Sequence, residues 1–236
     1  SVPIVISNNE ILIIYSWGSS SSSNYWQSII DTLYYSKSSD GGRSWSNPVC
    51  ILELGINNDF DRNWYLTSIR TSSGRIIIAW YQQYPSPNSI KLINSDDNGI
   101  TWSDTTSINS TSSFNCNLSE INPGKILISY TNYNATSVRY RESTDNGDTW
   151  SQIPASFSFS SNRIRNLLFV SVPFKLLAFF EFTASGVTQN SGIYYRVSTD
   201  NGFSWSANKL VIDSPTNEKN PRVIKFSDSE LEIIYQ

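Results

Sequence analysis

The sequence predicts an all-β fold in which antiparallel strands repeat in units of the size of β-propeller blades. Three observations predict it: a turn motif recurs at regular intervals, short β-branched and aromatic runs accompany each copy, and Gly, Asn and Ser separate those runs. The 236 residues are enough for one large all-β domain, so we expect a single domain over residues 1–236.

The turn motif has the pattern Ser-x-Asp-x-Gly-x-Ser/Thr-Trp and occurs four times. Its aspartates stand at positions 40, 97, 145 and 200, so successive copies are 57, 48 and 55 residues apart. Intervals of this size are typical of propeller blades. The Asp, Gly and Trp of each copy are the predicted structural residues: Asp40, Gly42, Trp45, Asp97, Gly99, Trp102, Asp145, Gly147, Trp150, Asp200, Gly202 and Trp205.

Each residue type in the motif has a physical role in a hairpin turn. The Asp side chain can accept hydrogen bonds from backbone N–H groups just ahead of it, and Gly allows a positive φ. The Ser or Thr hydroxyl can close the turn, and the Trp ring can be buried beside it. An acidic metal or substrate site is the alternative, but one copy per repeat favours a determinant of the fold. The motif lacks the dense carboxylates of a calcium loop, so we expect no metal and no cofactor.

The strands follow the repeats in order. Strands are predicted at residues 2–6, 11–15, 31–35 and 49–53 in the first repeat (1–55), and at 65–70, 75–80 and 89–93 in the second (60–108). They are predicted at 115–119, 125–130 and 138–141 in the third repeat (112–156), and at 166–172, 176–182 and 192–197 in the fourth (162–213). A partial fifth repeat (218–236) holds strands at 222–226 and 230–235. The continuous apolar character of residues 11–15 predicts a strand buried on both faces.

The amino-acid composition limits the classes of function that this chain could have. The net charge of −3 and the 16% of charged residues exclude a basic nucleic-acid surface. Abundant Trp, Tyr, Ser and Asn indicate a glycan-facing or extracellular surface. The chain does not begin with Met, so we expect a processed chain or a fragment whose signal peptide has been removed. No segment is apolar over the ~20 residues of a membrane span, and residues 167–182 predict two strands instead.

Cysteines and glycosylation sequons add weaker indications. Cys50 is expected on an outer strand and Cys116 on an inner strand, so the two should stay unpaired and act as small buried apolar residues. Asn109, Asn117 and Asn134 begin N-x-S/T sequons and would accept glycans in a secreted protein.

The repeated motif resembles the Asp-box of sialidases and other Asp-box propellers. This resemblance implies four-stranded blades around a central channel, with each box between the third and fourth strands, away from the catalytic centre. Sialidase propellers have six blades, so four complete blades and a partial fifth indicate part of a longer protein. Closure with fewer blades is the alternative. A truncated propeller would expose a sheet edge at residues 230–235.

The same resemblance implies an arginine clamp for the sugar carboxylate, a Tyr nucleophile with a Glu partner, and an Asp acid/base. Ser1 stands where the first clamp Arg is expected, Trp17 or Gly18 where the second is expected, and Asn24 where the Asp is expected. In the third repeat, Asn115 matches the Glu and Thr131 matches an Arg. These replacements predict a sialidase-like propeller without sialidase activity.

Other residues could still form a site. Tyr25 and Trp26 could stack on a sugar beside Asn24, or could instead form an aromatic lid. Arg62, Arg163 and Arg165 are candidates for ligand binding, and Asp31, Asp61 and Glu218 are candidates for catalysis. Each of these charges could equally be a solvated loop residue.

Three functions remain open. The first is an extracellular module that recognises a glycan or a cell-surface protein. The second is a glycoside hydrolase, an exo-sialidase or a related enzyme, with divergent catalytic residues. The third is a structural propeller in a larger surface assembly, in contact with further domains of the same protein.

Overall fold

Eighteen strands and no helix form the described part of the chain. The structure is a computed structural model that describes residues 2–20, 29–57, 66–82, 89–109, 113–132, 137–152, 155–158, 163–183, 191–212 and 221–235. These residues fall into two units, Ser1–Ser112 and Ser113–Gln236.

The first unit contains two four-stranded antiparallel sheets. The first sheet consists of β1 (Val2–Val5), β2 (Ile11–Ser20), β3 (Ile29–Ser38) and β4 (Val49–Asn57). The second sheet consists of β5 (Leu66–Arg70), β6 (Ile76–Gln82), β7 (Ser89–Ser95) and β8 (Thr106–Asn109). In both sheets each strand pairs with its neighbours in sequence, as the repeats predict.

The second unit contains two more such sheets and a smaller one. The third sheet consists of β9 (Ser113–Asn122), β10 (Lys125–Asn132), β11 (Ser137–Ser143) and β12 (Ala155–Ser158). The fourth consists of β13 (Arg163–Val172), β14 (Lys175–Thr183), β15 (Ser191–Ser198) and β16 (Lys209–Ile212). The fifth pairs β17 (Arg222–Lys225) with β18 (Leu231–Ile234). Four complete sheets and a partial fifth match the repeat count.

Apolar side chains join the sheets within each unit. In the first unit, Leu12 and Ile14 of β2 pack against Ile76 and Ile78 of β6. In the second unit, ten buried residues of the third and fourth sheets form one core: Ile121, Leu127, Val138, Tyr140, Ile164, Leu167, Phe169, Leu176, Ala178 and Phe180. Removing this apolar surface from water is the main force that stacks the sheets.

Two burial predictions need correction. In β2, Leu12 and Ile14 are buried, but Ile11, Ile13 and Tyr15 are only half-buried, so the strand is not buried on both faces. That pattern belongs instead to β6, which is buried from Ile76 to Tyr81. Both cysteines are free as predicted, and Cys116 is buried, but Cys50 is exposed. Cys50 lies near the start of β4, and β4 is an edge strand with a neighbouring strand on one side only, which leaves the thiol exposed.

Candidate functional site

Each complete sheet has two ends that carry different connections. Consecutive strands are antiparallel, so the first-to-second and third-to-fourth turns lie at one end, which also carries the repeated motif. We call this the box end. The second-to-third connections and the links to the next sheet lie at the opposite end, the loop end. Binding residues in proteins concentrate on loops that a rigid scaffold positions.

The motif forms a closed hydrogen-bonded turn at every box end. In the first sheet, the Asp40 carboxylate accepts hydrogen bonds from the Ser38 hydroxyl at 2.8 Å, the Arg43 N–H at 2.9 Å and the Ser44 N–H at 2.9 Å. The Ser44 hydroxyl donates to the second carboxylate oxygen of Asp40 at 2.6 Å. Ser38 Oγ accepts a hydrogen bond from the Gly42 N–H at 2.8 Å. The other three boxes repeat the serine–aspartate and hydroxyl–aspartate bonds.

These bonds lower the pKa of all four box aspartates from 3.8 to about 2, chiefly through the Ser or Thr hydroxyl four residues later. A carboxylate whose oxygens accept hydrogen bonds from its own turn stabilises that turn, which supports the interpretation of the box as a fold determinant. Trp150 is buried, and Trp102 and Trp205 are half-buried beside their turns. Trp45 departs from the prediction, since it is 40% exposed.

The loop end of the fourth sheet contains a bulge with a buried carboxylate. Arg165 pairs with Glu181, and the next paired residues are Leu168 and Phe179, so Asn166 and one further β13 residue stand opposite a single β14 residue. Such bulges are frequent next to binding sites. Asn166 has a positive φ of 51°. Its side-chain amide donates to Glu181 Oε1, and Glu181 is only 5% exposed.

The third sheet fixes this bulge from the side. The Leu167 carbonyl, inside the bulge, accepts hydrogen bonds from Asn117 Nδ2 and Ser129 Oγ, each at 2.9 Å. Asn117 lies on β9 and Ser129 on β10. We call Asn117, Ser129, Arg165, Asn166 and Glu181 the bulge cluster. It combines a buried carboxylate, two amides and an exposed guanidinium on paired strands, which hold their side chains more rigidly than loops do.

The loop end of the first sheet carries an exposed aromatic ring. Trp17 is 67% exposed on β2, opposite Thr32 of β3. Two residues earlier, Tyr15 stacks on Tyr34 with ring centroids 6.1 Å apart. An exposed indole on a paired strand is a suitable surface for a sugar ring or an apolar group.

Few of the predicted site residues can be located. Asn24, Tyr25, Trp26, Asp61, Arg62 and Glu218 lie outside the described residues, as does the sequon residue Asn134. Asp31 lies on β3 opposite Gly18, Arg163 is the first residue of β13, and Asn109 is the last of β8. Arg165 is exposed, and in the strand register it stands opposite the buried Glu181 of β14.

The structure adds information on three residues, of which the resemblance selected one and the sequence left the roles of the other two unrecognised. Thr131, at a position where the resemblance implies an arginine, is only 2% exposed on β10. Sequence reasoning missed Glu181, although it is the one acidic residue in the apolar strand Lys175–Thr183. It treated Asn117 only as a sequon, whereas its side-chain nitrogen serves the bulge.

Two kinds of feature are absent from the described ranges. No group of three or more His, Cys, Asp or Glu side chains there could hold a metal ion. In the same ranges, no helix is long and apolar enough to cross a membrane.

Comparisons with known proteins agree with this architecture. The profile of the BNR repeat-like domain family matches residues 1–171. None of the curated protein sequences compared with the chain matches it.

Solved structures of glycoside hydrolases resemble the chain. A Hadza microbial sialidase aligns with a TM-score of 0.67 and 18% identity over 99% of this chain and 49% of its own. An α-L-arabinanase from Penicillium chrysogenum, complexed with arabinobiose, aligns with a TM-score of 0.60 and 16% identity, covering 89% and 65%. The K499G mutant of the NanB sialidase from Streptococcus pneumoniae aligns with a TM-score of 0.63 and 18% identity, covering 87% of this chain and 32% of its own. The chain thus spans about half the length of the first of these proteins.

Proposed function

We propose that this chain, which belongs to the family of BNR repeat-like domains and has a sialidase-like Asp-box propeller fold, is a non-catalytic glycan-binding module. We place its ligand at the loop end and its location outside the cell or at the cell surface. The sequons at Asn109 and Asn134 fit an extracellular location, since they would accept glycans in a secreted protein, whereas the Asn117 nitrogen is engaged in the bulge.

The bulge cluster carries this proposal. A sugar presents hydroxyl groups that both donate and accept hydrogen bonds, and a carboxylate next to an amide offers both complementary functions. Asn166 already fixes Glu181 and the third sheet fixes the bulge, so little conformational freedom remains to be lost on binding. The exposed Arg165 beside them adds a donor group that can reach a ligand from the rim.

Binding without cleavage fits the cluster better than hydrolysis. Glycoside hydrolysis generally needs two carboxyl groups, ~5–10 Å apart, which flank the scissile bond. Among the described residues of the bulge cluster, Glu181 supplies one carboxyl group. By resemblance, Asn24 also stands at the acid/base position and cannot supply a carboxylic acid.

A glycoside hydrolase is the second candidate, and the observation that favours it is Glu181 itself. A buried carboxyl group at the loop end of a propeller strand has the chemistry of a general acid or base. This candidate requires a second carboxyl group, for which Asp31, Asp61 and Glu218 are the sequence candidates.

One experiment separates the two candidates. The purified chain is applied to a glycan array and incubated with fluorogenic sialosides and arabinofuranosides. We expect binding without turnover, and binding about 10-fold weaker for Glu181→Gln and Arg165→Ala, which is a loss of ~1.4 kcal/mol. Glu142→Gln is the matched control, because Glu142 lies at the box end in a surface ion pair with Lys125 at 2.9 Å.

The outcomes are distinct. Turnover that Glu181→Gln abolishes would replace the binding proposal with the hydrolase. Absence of any glycan binding, or binding that Glu181→Gln and Glu142→Gln weaken equally, would reject the bulge cluster as the site. A thermal melt of each variant shows whether the fold is retained.

A further inference from the structure

The box end of the second unit exposes three phenylalanine rings on three separate turns. Phe174, between β13 and β14, is 94% exposed, and Phe203, in the fourth Asp-box, is 92% exposed. Phe226, which follows β17, is 60% exposed. We call these three residues the phenylalanine patch. Soluble surfaces seldom carry several large apolar side chains together unless the surface binds something.

The contacts of the neighbouring residues place the three turns side by side. Leu176, two residues after Phe174, pairs with Ser198 at the start of the fourth box. A Cβ built on Gly202, next to Phe203, would lie 3.8 Å from Leu176 Cδ2. Lys225, next to Phe226, donates from Nζ to the Ser171 carbonyl at 2.9 Å. The three turns that carry the patch therefore lie next to one another at the box ends of the fourth and fifth sheets.

The backbone of Phe174 is strained in a way that folding does not require. Its φ is +62°, a left-handed conformation that disfavours bulky side chains. The third sheet has the same turn, with Pro123 and Lys125 matching Pro173 and Lys175, but uses Gly124 at φ +75°. Glycine costs little in such a turn. Phe174 is also almost fully exposed, so its ring adds little packing that could offset the strain.

Phe203 occupies a position where the Asp-box accepts very different residues. The corresponding residues of the other boxes are Arg43, Ile100 and Asp148. In the fourth box the bond that this position makes is that of its main chain, from the Phe203 N–H to the Asp200 carbonyl at 3.4 Å, so the turn does not require the phenyl ring. At 92% exposure, it serves no packing function within the described residues.

Charges of both signs lie beside the patch, since the exposed Asp200 and Glu230 belong to the same turns as two of its rings. Lys175 directly follows Phe174 and is exposed, and Lys225 directly precedes Phe226. Apolar rings that protrude singly beside ammonium groups match the boundary of a phospholipid bilayer, where phosphates lie just above the acyl chains. A membrane accepts protruding rings without a complementary groove. Lys225 is also paired with Asp228 at 2.7 Å, so we expect the apolar contribution to exceed the electrostatic one.

We propose that the phenylalanine patch docks this end of the protein onto a phospholipid surface by inserting the three rings at the lipid headgroup level. The patch lies at the box end, whereas the glycan site proposed above lies at the loop end. The two proposals can therefore fail independently.

Vesicle flotation tests the lipid proposal. The purified chain is mixed with phosphatidylcholine vesicles, with and without one fifth phosphatidylserine. Burying one phenyl ring in lipid should change the partition coefficient roughly 10-fold or more. We therefore expect Phe174→Gly and Phe203→Asp each to reduce vesicle binding about 10-fold, and the double variant to abolish it.

The two substitutions are chosen so that misfolding cannot explain the loss. Phe174→Gly reproduces the glycine of the third-sheet turn and relieves strain, so its melting temperature should equal or exceed that of the unmodified chain. Phe203→Asp reproduces the residue at the same position of the third box, Asp148. Ile100→Asp is the control, because Ile100 is 75% exposed at this position in the second box, in the first unit. We expect it to leave vesicle binding unchanged.

Three results would overturn the proposal. The first is an unmodified chain that does not float with vesicles at millimolar lipid. The second is equal loss of binding in Ile100→Asp and Phe174→Gly. The third is self-association in sedimentation that Phe174→Gly abolishes while vesicle binding is unaffected, which would assign the patch to a protein contact. Glu181→Gln should weaken glycan binding and leave vesicle binding intact, which keeps this test separate from the proposed function.

Discussion

Substitution of one box aspartate by alanine measures how much each Asp-box contributes to stability. Asp145 is suitable because its carboxylate accepts hydrogen bonds from Ser143 Oγ at 2.8 Å and from Thr149 N at 2.9 Å. The Thr149 hydroxyl donates to the other oxygen. In Asp145→Ala all three bonds are lost, and Ser143, only 1% exposed, keeps a hydroxyl proton without its acceptor.

Two estimates of the free energy agree in order of magnitude. Three hydrogen bonds to a charged acceptor would contribute several kcal/mol if shielded, but Asp145 is exposed and water competes for its oxygens, which leaves roughly 0.5 kcal/mol for each. The pKa of Asp145, lowered from 3.8 to about 2 by its hydrogen bonds with Thr149, corresponds to about 2.4 kcal/mol before the same discount. We therefore expect Asp145→Ala to reduce the free energy of unfolding by about 1–2 kcal/mol and the melting temperature by about 2–8 °C.

The assay is urea unfolding at pH 7 followed by tryptophan fluorescence, supported by a thermal melt. Asp148→Ala is the control, because this residue lies in the same box at the variable position and should change stability by no more than about 0.5 kcal/mol. Equal destabilisation by the two substitutions would show that the carboxylate bonds contribute nothing beyond the average surface residue. The Asp-box would then need another explanation as the recurrent element of this fold.

Three further predictions follow from burial, turns and charge. The box aspartates have pKa values lowered to about 2 in the folded chain. Their contribution to stability is therefore present above about pH 4 and lost as the pH falls towards 2. An unchanged midpoint of urea unfolding between pH 5 and pH 2 would contradict this. Gly202→Ala should lower the melting temperature more than Gly124→Ala, because a Cβ at Gly202 would lie 3.2 Å from Tyr140 Oη, whereas a Cβ at Gly124 would have no heavy atom within 4 Å. Equal shifts in thermal melts would refute the steric argument. An aromatic disulfide reagent should label only Cys50 in the folded chain, because Cys116 is buried and desolvation raises its pKa to about 12, and labelling of both thiols without denaturant would show that this strand opens.

The sheets could be predicted because each box marks the same position within its repeat. Each box must join a third strand to a fourth, so the apolar runs before it, such as 75–80 and 125–130, become second strands without further information. The short fourth strands β8, β12 and β16 were not predicted. Thr106–Asn109 and Ala155–Ser158 are too polar to stand out from the loops around them, and Lys209–Ile212 is too short. Only pairing with the preceding strand identifies them.

The bulge cluster could not be predicted in the same way. Its members stand at positions 117, 129, 165, 166 and 181, and they meet only because β13 gains one residue relative to β14 and lies against the third sheet. A register shift of this kind depends on tertiary packing and leaves no periodic trace in the sequence. Glu181 did leave a local signal, since a single carboxylate in an apolar strand must find a hydrogen-bond partner or be neutralised.

The contrast between the two ends of each sheet explains why fold and function separate in this chain. At the box end, the Asp carboxylate and the first Ser of each Asp-box are bonded within the box itself, as Asp145, Ser143 and Thr149 show, so this turn does not depend on any ligand. In the fourth box the variable position contributes its main-chain N–H to the turn, so the exposed Phe203 ring is tolerated there. At the loop end, Glu181 depends on Asn166 and on a bulge that another sheet holds in place. A substitution at the box end should therefore change stability or docking without changing glycan recognition, whereas Glu181→Gln should change recognition first. The two ends can thus be assayed separately in the same protein.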